Sequence, residues 1–172
     1  MGINKLAVVG ATGNVGREML NILSERDFPC EEVIALASER SEGDAVPFGN
    51  KELIVQNLSS YDFSETSIAL FSAGGQISEV YGPIAAEQGC IVIDNSSKFR
   101  MDNDVPLIVP EVNIEMLEHY RTTNIIANPN CSTIQMVVAL KPLEDLASIN
   151  RINVSTYQST SGAGKAAMEE LF

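Results

Sequence analysis

A glycine-rich turn close to the N-terminus constrains the fold of this chain more than any other feature. The apolar segment Lys5-Leu6-Ala7-Val8-Val9 predicts a short buried strand, and it leads directly into Gly10-Ala11-Thr12-Gly13-Asn14-Val15-Gly16. A helical pattern of apolar residues follows at positions 19, 20, 22 and 23. A strand, a glycine turn and a helix in this order are typical of dinucleotide-binding units, because the glycines let a pyrophosphate approach the helix N-terminus.

The glycine spacing alone leaves a structural explanation open. The pattern is G-x-x-G-x-x-G rather than the commoner G-x-G-x-x-G, and glycine-rich turns also form where no ligand binds. The place of the turn, directly after the first strand, favours a nucleotide site. The cofactor-binding residues predicted in this turn are Gly10, Thr12, Gly13, Asn14 and Val15.

The segments that follow predict an α/β fold with a Rossmann-like, doubly wound and mostly parallel sheet. Continuous apolar runs indicate further buried strands at 32–37, 67–71, 90–94 and 124–127. Residues 51–56 predict a short edge strand. The helical composition of 76–88 is interrupted by Gly82-Pro83, which we expect to break or kink that helix.

Polar residues follow the second predicted strand, where nucleotide-binding folds select their cofactor. The sequence there is Ser38-Glu39-Arg40-Ser41. An arginine in this place accommodates the 2′-phosphate of NADP, whereas an acidic residue binds the ribose of NAD. Ser38, Arg40 and Ser41 therefore favour NADP. Glu39 could serve NAD instead, and a solvated polar loop is the structural alternative.

Two more turns lie at the carboxyl ends of predicted strands, where ligands bind in open α/β sheets. Ser72-Ala73-Gly74 follows the strand at 67–71 and is a second candidate for cofactor binding. The loop Asn95-Ser96-Ser97-Lys98-Phe99-Arg100 follows the strand at 90–94. Arg100 in this serine-rich loop is a candidate clamp for an anion or phosphate, although a surface charge would give the same pattern.

The stretch Asn128-Pro129-Asn130-Cys131-Ser132-Thr133 is the strongest candidate for chemistry. Its proline ends the preceding strand, and the two hydroxyl residues after the cysteine suit an N-terminal helix cap. We therefore expect a helix over 132–140, ended by Pro142, with Cys131 at its N-terminus. Unpaired backbone N–H groups and the helix dipole favour a thiolate there, which is the reactive form of cysteine. A small buried hydrophobe is the alternative for a free cysteine.

Composition narrows the classes of function. The 172 residues contain 11 Lys and Arg against 23 Asp and Glu, and the net charge of −12 disfavours binding to nucleic acids and anionic membranes. No apolar run approaches the length of a membrane span. Cys30, Cys90 and Cys131 form no zinc-binding pattern and indicate reduced thiols in the cytoplasm. A single histidine argues against a zinc hydrolase, so no metal site is expected.

The hydrophobic period changes after the cysteine. Residues 149–157 alternate apolar and polar side chains, which predicts a half-buried strand. A second glycine-rich turn, 158–165, then leads into a predicted helix at 166–172. We place a domain boundary at the cysteine, so that residues 1–130 form the cofactor-binding domain and residues 131–172 start a second domain.

The chain resembles aspartate-semialdehyde dehydrogenases in the order and spacing of five segments: Gly10–Gly16, Ala37–Ser41, Asp94–Arg100, Asn128–Thr133 and Tyr157–Gly164. The Asn-Cys-Ser-Thr element is the specific part, because the related N-acetyl-glutamyl-phosphate reductases typically place a glycine before the cysteine. The resemblance implies an NADP-dependent enzyme of lysine, threonine and methionine biosynthesis. Such an enzyme interconverts aspartate semialdehyde, phosphate and aspartyl phosphate. The resemblance also implies an α+β catalytic and dimerisation domain after residue 130, and a homodimer at full length.

The family likeness implies roles for individual residues. Cys131 is expected to be the nucleophile that forms a thiohemiacetal and then a thioester. Asn130, with the backbone N–H of Cys131, is expected to stabilise the oxyanion. Gln158 would orient the substrate, and Arg100 with Asn95 would bind phosphate. The residues expected to approach the cofactor from the second glycine-rich turn are Gly162, Ala163 and Gly164.

Two functional residues of the family have no matching position in this chain. The general-base histidine and the arginine for the substrate carboxylate lie in the second domain, and His119 is not in the matching place. We therefore expect the chain to be the N-terminal half of such an enzyme, with low activity alone. The alternatives are a non-catalytic NADP-binding module and a reductase for another acyl phosphate, such as the N-acetyl-glutamyl compound.

Overall fold

The chain folds around a six-stranded parallel sheet. The computed structural model describes residues 3–171, without the side chains of Ala163, Lys165 and Ala166. The described strands are β1 (Ile3–Val9), β2 (Cys30–Ala37), β3 (Ala45–Phe48), β4 (Lys51–Ile54), β5 (Gln56–Asn57), β6 (Thr66–Phe71), β7 (Ile91–Asp94) and β8 (Ile125–Ala127). The α-helices are α1 (Asn14–Glu25), α2 (Gly75–Glu87), α3 (Pro110–Asn113), α4 (Cys131–Glu144) and α5 (Lys165–Leu171). Short 3-10 turns lie at Glu39–Ser41, Leu58–Ser60, Ile114–Thr122 and Thr160–Ala163.

The strand order β5-β2-β1-β6-β7-β8 is that of a doubly wound dinucleotide-binding sheet, and all of its pairs are parallel. The order reverses direction between β1 and β6, which makes the crevice above these two strands the expected ligand position. The predicted fold class is therefore confirmed.

Burial on both faces explains why the strands are continuous apolar runs. Ala7 and Val9 of β1 point into one cluster of core residues, which includes Ala85 and Ala86 of α2. Leu6 and Val8 point into the other cluster, which includes Leu20 and Leu23 of α1. A parallel sheet covered by helices on both sides has no solvent-facing side, so alternation is absent from its strands. None of the described helices is long and apolar enough to cross a membrane.

The carboxyl ends of the strands are joined by hydrogen bonds between consecutive loops. The Ser72 N–H donates to the Val9 carbonyl at 2.9 Å, and the Asn95 N–H donates to the Phe71 carbonyl at 2.9 Å. The Asn128 N–H donates to the Asp94 carbonyl at 2.8 Å. The loops that follow β1, β6, β7 and β8 therefore lie side by side at one edge of the sheet.

Both prolines lie inside helices that continue past them, so the predicted end at Pro142 and the predicted break at Gly82-Pro83 are wrong. A kink at Gly82-Pro83, the other alternative, stays a prediction. Helix α2 continues through Pro83 to Glu87, and α4 continues through Pro142 to Glu144. An interior proline removes one N–H···O bond, but packing and the bonds beyond it can hold the helix together. In α2 the buried residues Ser78, Gly82, Ala85 and Ala86 lie on both sides of Pro83.

Two predicted strands also differ from the structure. The segment 51–56 is split, because β4 pairs with β3 in an antiparallel hairpin and only Gln56–Asn57 joins the main sheet. The segment 149–157 contains no strand. Residue 149 is partly buried, and residues 150–159 are exposed. Alternation marks one face of a possible strand, but a strand also needs a neighbour, and the described residues provide none at this place.

Candidate functional site

Two glycines of the first turn are required by close backbone contacts. Gly10 has a φ of +87°, and a Cβ there would lie 3.0 Å from the backbone of Ser72 and Ala73. A Cβ on Gly16 would lie 2.8 Å from the Gly10 carbonyl carbon and 2.9 Å from the Ala11 Cα. The first glycine thus permits the turn to approach the loop after β6, and the third permits close packing of α1 on the turn.

No described side chain caps the N-terminus of α1. Its cap residue is Gly13, which makes no side-chain capping bond, and its first turn carries no acidic residue. The first N–H groups of a helix have no partner inside the helix, so those of Asn14 and Val15 suit an anion such as a pyrophosphate. Asn14 and Val15 themselves are exposed and do not line the cavity described next.

A cavity of about 470 Å³ lies at the switch point between β1 and β6. The predicted cofactor residues that line it are Gly10, Thr12, Gly13, Ser38, Ser72 and Ala73. The lining residues that the sequence did not indicate are Ala37, Asn57, Leu58, Ser59, Ile77 and Tyr81. These come from the end of β2, from the loop after β5 and from α2. The mixture of backbone, polar and apolar groups fits the pyrophosphate, ribose and ring of a dinucleotide.

The cofactor-selecting loop presents both of its charged residues near this cavity. Ser38 and Glu39 line the cavity, whereas Arg40 and Ser41 lie in the adjoining 3-10 turn outside the lining set. Arg40 is exposed. Asn57 faces this loop and donates to a Glu42 carboxylate oxygen at 3.3 Å. Gly74 also falls outside the lining, at the N-cap of α2 with a φ of +90°.

Cys131 is the first residue of α4 and is exposed. The helix cap is Asn130, not the hydroxyl residues after the cysteine, because the Asn130 Oδ1 accepts the Ser132 N–H at 3.0 Å and the Ser132 hydroxyl at 2.6 Å. Asparagine is among the best capping residues, and it moves the helix start back to the cysteine. The cap also leaves the Asn130 amide nitrogen as a donor.

The other cysteines differ from Cys131 in their surroundings. Cys90 is fully buried in the core, and this burial raises the pKa of its thiol to about 12. Cys30 is partly buried, which also raises the pKa of its thiol. Burial therefore makes both thiols less reactive at neutral pH. Cys131, in contrast, is exposed and lies at a helix N-terminus.

Arg100 bridges the loops after β7 and β8. Its Nε donates to the Asn128 carbonyl at 2.9 Å, and its Nη2 donates to the Asn95 carbonyl at 3.0 Å. The Asn128 amide also donates to the Asn95 Oδ1 at 2.6 Å. A guanidinium has five N–H donors, so these two bonds leave others for an anion. The sequence did not indicate Asn128, since its role depends on a contact across 33 residues.

A second cavity of about 870 Å³ brings Cys131 and Gln158 together. It is lined by the first two turns of α4 and by residues 153–159. The Gln158 side chain lies directly against Gly162, because a Cβ on Gly162 would overlap the Gln158 amide. The backbone of Ala163 continues the 3-10 turn there, but its side chain lies outside the described residues. Gly164 follows with a φ of +96°.

The start of α1 contacts α5, the helix that follows the second glycine-rich turn. The Asn14 Nδ2 donates to the Met168 sulfur at 3.8 Å, which joins the start of α1 to α5. Residues 162–164 directly precede α5, and their approach to the cofactor stays a prediction.

Comparison with known proteins assigns the family. Residues 5–120 match the family model for the NAD-binding domain of semialdehyde dehydrogenases, and residues 140–172 match the model for the dimerisation domain of semialdehyde dehydrogenases. The chain belongs to the semialdehyde dehydrogenase family. It is 60% identical over 166 residues to aspartate-semialdehyde dehydrogenase 2 of Vibrio cholerae, which covers 96% of this chain and 49% of that protein. This semialdehyde dehydrogenase chain thus spans about half the length of the curated relatives it matches.

Solved structures agree with this assignment. The crystal structure of aspartate-semialdehyde dehydrogenase II from Vibrio cholerae, complexed with ASA, matches with a TM-score of 0.95 and 57% identity, over 99% of this chain and 51% of that chain. The Candida albicans enzyme, solved with NADP, matches with a TM-score of 0.74 and 26% identity, over 86% and 48%. A Rex-family repressor at 14% identity and a TM-score of 0.51 shares the fold alone.

These comparisons confirm the predicted resemblance and the prediction of a nicotinamide cofactor. They favour aspartate-semialdehyde dehydrogenase over the N-acetyl-glutamyl alternative, since the relatives named above carry the first name. The roles of individual residues in this semialdehyde dehydrogenase remain predictions.

Proposed function

We propose that this chain is the cofactor-binding and nucleophile-bearing part of an NADP-dependent aspartate-semialdehyde dehydrogenase. The observation that carries the proposal is the single cavity shared by Cys131 and Gln158. It lies at the same edge of the sheet as the nucleotide cavity, because α4 begins directly after the loop that follows β8. An exposed cysteine and a nucleotide site at one sheet edge suit a reaction in which an aldehyde bound to sulfur is oxidised.

Cys131 would begin the reaction in the oxidative direction. Its thiolate attacks the aldehyde carbon of aspartate semialdehyde, and the carbon–sulfur bond that forms gives a thiohemiacetal. A nicotinamide cofactor, when bound, would supply the acceptor for the hydride that leaves the adduct carbon, and loss of the hydroxyl proton would leave a thioester on Cys131. Inorganic phosphate then attacks the thioester carbonyl, and the carbon–sulfur bond breaks to give aspartyl phosphate and free Cys131. The reverse sequence is the reductive dephosphorylation of aspartyl phosphate.

The oxygen of the tetrahedral adduct carries negative charge and needs donors. The Asn130 amide nitrogen and the Cys131 backbone N–H are the donors we assign, since the Asn130 oxygen is already occupied by Ser132. Gln158 is assigned to the substrate, which is supported by its place in the cavity that Cys131 also lines.

Phosphate is assigned to Arg100 and Asn95. This assignment is supported by the two hydrogen bonds that fix the Arg100 guanidinium on backbone carbonyls and leave its other N–H groups unused. The Asn95 amide oxygen accepts the Asn128 amide, so the Asn95 amide nitrogen is the group that we assign as a donor to phosphate.

NADP is the cofactor we propose. Ser38 lines the nucleotide cavity, and the exposed Arg40 and the partly buried Ser41 lie in the adjoining turn, where a 2′-phosphate on the ribose would lie. Glu39 also lines the cavity and would bind the ribose hydroxyls of NAD, so the choice depends on the contact with Arg40. From the second glycine-rich turn, Gly162, Ala163 and Gly164 are assigned to the other side of the cofactor.

We further propose the setting of the protein. The match of residues 140–172 to a dimerisation domain supports a homodimer, and the division into 1–130 and 131–172 separates the cofactor domain from that part. The free cysteines support the cytoplasm. The proposed pathway is the biosynthesis of lysine, threonine and methionine. The 172-residue chain alone is expected to turn over slowly, because the general base of the resembling enzymes has no counterpart in it.

The test is NADPH formation by the purified protein at high concentration. We expect absorbance at the NADPH band only when aspartate semialdehyde, NADP and phosphate are all present. N-acetyl-glutamate semialdehyde serves as the matched substrate control and should give little signal. Equal rates with both semialdehydes, or a rate independent of phosphate, would contradict the proposal.

A further inference from the structure

Asp94 is a buried acidic residue that the reaction described above does not use. It ends β7 and is fully buried, with no exposed surface. Both of its carboxyl oxygens accept hydroxyl groups: Oδ1 from Ser78 at 2.6 Å and Oδ2 from Ser96 at 2.6 Å. Among the described residues, no ion pair includes Asp94. Burying an acidic side chain costs free energy of desolvation, which its hydrogen bonds offset. The two bonds to Asp94 also fix the positions of Ser78 and Ser96, which an apolar residue could not do.

The two serines belong to different elements. Ser78 lies in the first turn of α2 and is itself fully buried. Ser96 lies in the loop between β7 and Arg100, and its hydroxyl oxygen also accepts the Lys98 N–H at 3.1 Å. Asp94 therefore joins α2 to the loop, and through Ser96 it fixes the backbone of that loop as far as residue 98.

Helix α2 supports the same loop through two further contacts. Lys98 forms an ion pair with Glu79 at 2.8 Å, and a Cβ on Gly82 would lie 3.1 Å from the Phe99 ring. Positions 78, 79 and 82 share one face of the helix. The loop thus lies against α2 along this face, with the Asp94 hydrogen bonds at its buried end.

The end of this loop carries the proposed phosphate site. Arg100 follows Phe99 directly and donates to the Asn95 and Asn128 carbonyls. The Asp94 carbonyl also accepts the Asn128 N–H at 2.8 Å, so the main chain of Asp94 positions the second of these two partners. One residue therefore sets both sides of the bridge that holds the guanidinium.

We propose that Asp94 is a positioning residue for phosphate, acting through Ser78 and Ser96 on the loop that carries Asn95 and Arg100. The inference rests on the proposed phosphate-binding role of Asn95 and Arg100. It predicts that a loss of either acceptor oxygen lets the loop shift, so that the guanidinium donors no longer converge on the anion. The loss of one hydrogen bond to a charged group weakens binding by roughly 10- to 100-fold.

The test uses inorganic phosphate as the probe and the full chain as the protein. Phosphate binding is measured by 31P NMR line broadening, which needs no turnover, and NADP binding and the melting temperature are measured on the same samples. Asp94→Asn keeps the shape but has one acceptor oxygen instead of two. Ser96→Ala leaves Asp94 in place and removes the two hydrogen bonds of the Ser96 hydroxyl, the one to Asp94 and the one from the Lys98 N–H. It keeps the test decisive if Asp94→Asn does not fold.

The matched control is Thr66→Val. Thr66 is 3% exposed and its hydroxyl lies 2.9 Å from the Tyr61 hydroxyl, at the amino end of β6. This change also removes one buried hydrogen bond, but far from the loop. It should lower the melting temperature and leave the dissociation constant for phosphate unchanged.

For Ser96→Ala we expect a rise of about 10-fold in the dissociation constant for phosphate, with NADP binding unchanged. Asp94→Asn should give at least the same rise. If Ser96→Ala lowers the melting temperature as Thr66→Val does but binds phosphate like the wild type, Asp94 is only structural and the inference is overturned. If the wild type binds no phosphate, the proposed function fails first, and the inference fails with it.

Discussion

Replacing Gly16 with alanine should damage both the fold and the nucleotide site. The new Cβ would lie 2.8 Å from the Gly10 carbonyl carbon and 2.9 Å from the Ala11 Cα. Carbon atoms in contact normally lie about 3.5–4.0 Å apart, so α1 or the glycine turn must move by roughly 1 Å. Both neighbours are backbone atoms, which cannot rotate away as a side chain would.

The magnitude follows from two opposing effects. Overpacking of this kind costs about 1–3 kcal/mol, whereas alanine in a helix gains about 0.5–1 kcal/mol over glycine. The difference is about 0–2.5 kcal/mol, and because all the contacts are with backbone atoms we expect Gly16→Ala to lower the free energy of unfolding by about 2 kcal/mol. A shift of the N–H groups at the start of α1 should also weaken NADP binding by at least about 10-fold, because hydrogen bonds to charged groups contribute about 1.5–3 kcal/mol.

Gly75→Ala is the matched control, since Gly75 is also in the first turn of a helix. A Cβ there would meet only the Lys98 Cβ, at 3.9 Å, which is ordinary contact. This variant should be as stable as the wild type or slightly more stable, with unchanged NADP affinity. Urea unfolding and NADP titration measure both quantities. Wild-type stability and affinity in Gly16→Ala would refute the role given to the close packing of α1 on the glycine turn.

Three further predictions concern the cofactor, the cysteines and the isolated chain. Arg40→Ala should weaken NADP binding by roughly 10- to 100-fold, since a charge-assisted bond contributes about 1.5–3 kcal/mol. Equal loss of NAD and NADP affinity in parallel titrations would oppose the assignment of Arg40 to the 2′-phosphate. Brief iodoacetamide treatment near neutral pH should label Cys131 before Cys90, because burial raises the pKa of the Cys90 thiol to about 12; peptide mass mapping that finds Cys90 labelled first would remove the nucleophile assignment. The 172-residue chain should bind NADP, turn over slowly and self-associate through apolar residues such as Leu146 and Tyr157, which are 85% and 103% exposed. Rapid turnover by a chain that light scattering shows to be a monomer would contradict this.

The sequence predicts the features that depend on neighbours along the chain. The glycine turn at 10–16 and the apolar strands carry a local pattern, so the sheet and its ligand edge could be placed without a structure. The same holds for Cys131 at a helix N-terminus. Its cap was misplaced by two residues, because Asn130 and Ser132 are both good caps and the sequence does not choose between them.

The features that were missed depend on contacts between distant residues. Leu58 and Tyr81 line the nucleotide cavity only because β5 joins the sheet beside β2 and α2 packs on β6 and β7. Pro83 is tolerated because packing on the sheet outweighs the loss of one helix bond. The alternation at 149–157 indicates which side chains share a face, but it carries no information on a pairing strand.

The central claim is that Cys131 carries the acyl group during the reaction. The most direct measurement is peptide mass spectrometry after incubation with aspartate semialdehyde and NADP in the absence of phosphate. A single turnover should then leave an aspartyl thioester on the Cys131 peptide, and added phosphate should remove it, while Cys131→Ala forms neither adduct nor NADPH. NADPH formation by Cys131→Ala at the wild-type rate, or an adduct on Cys90 in its place, would contradict the account.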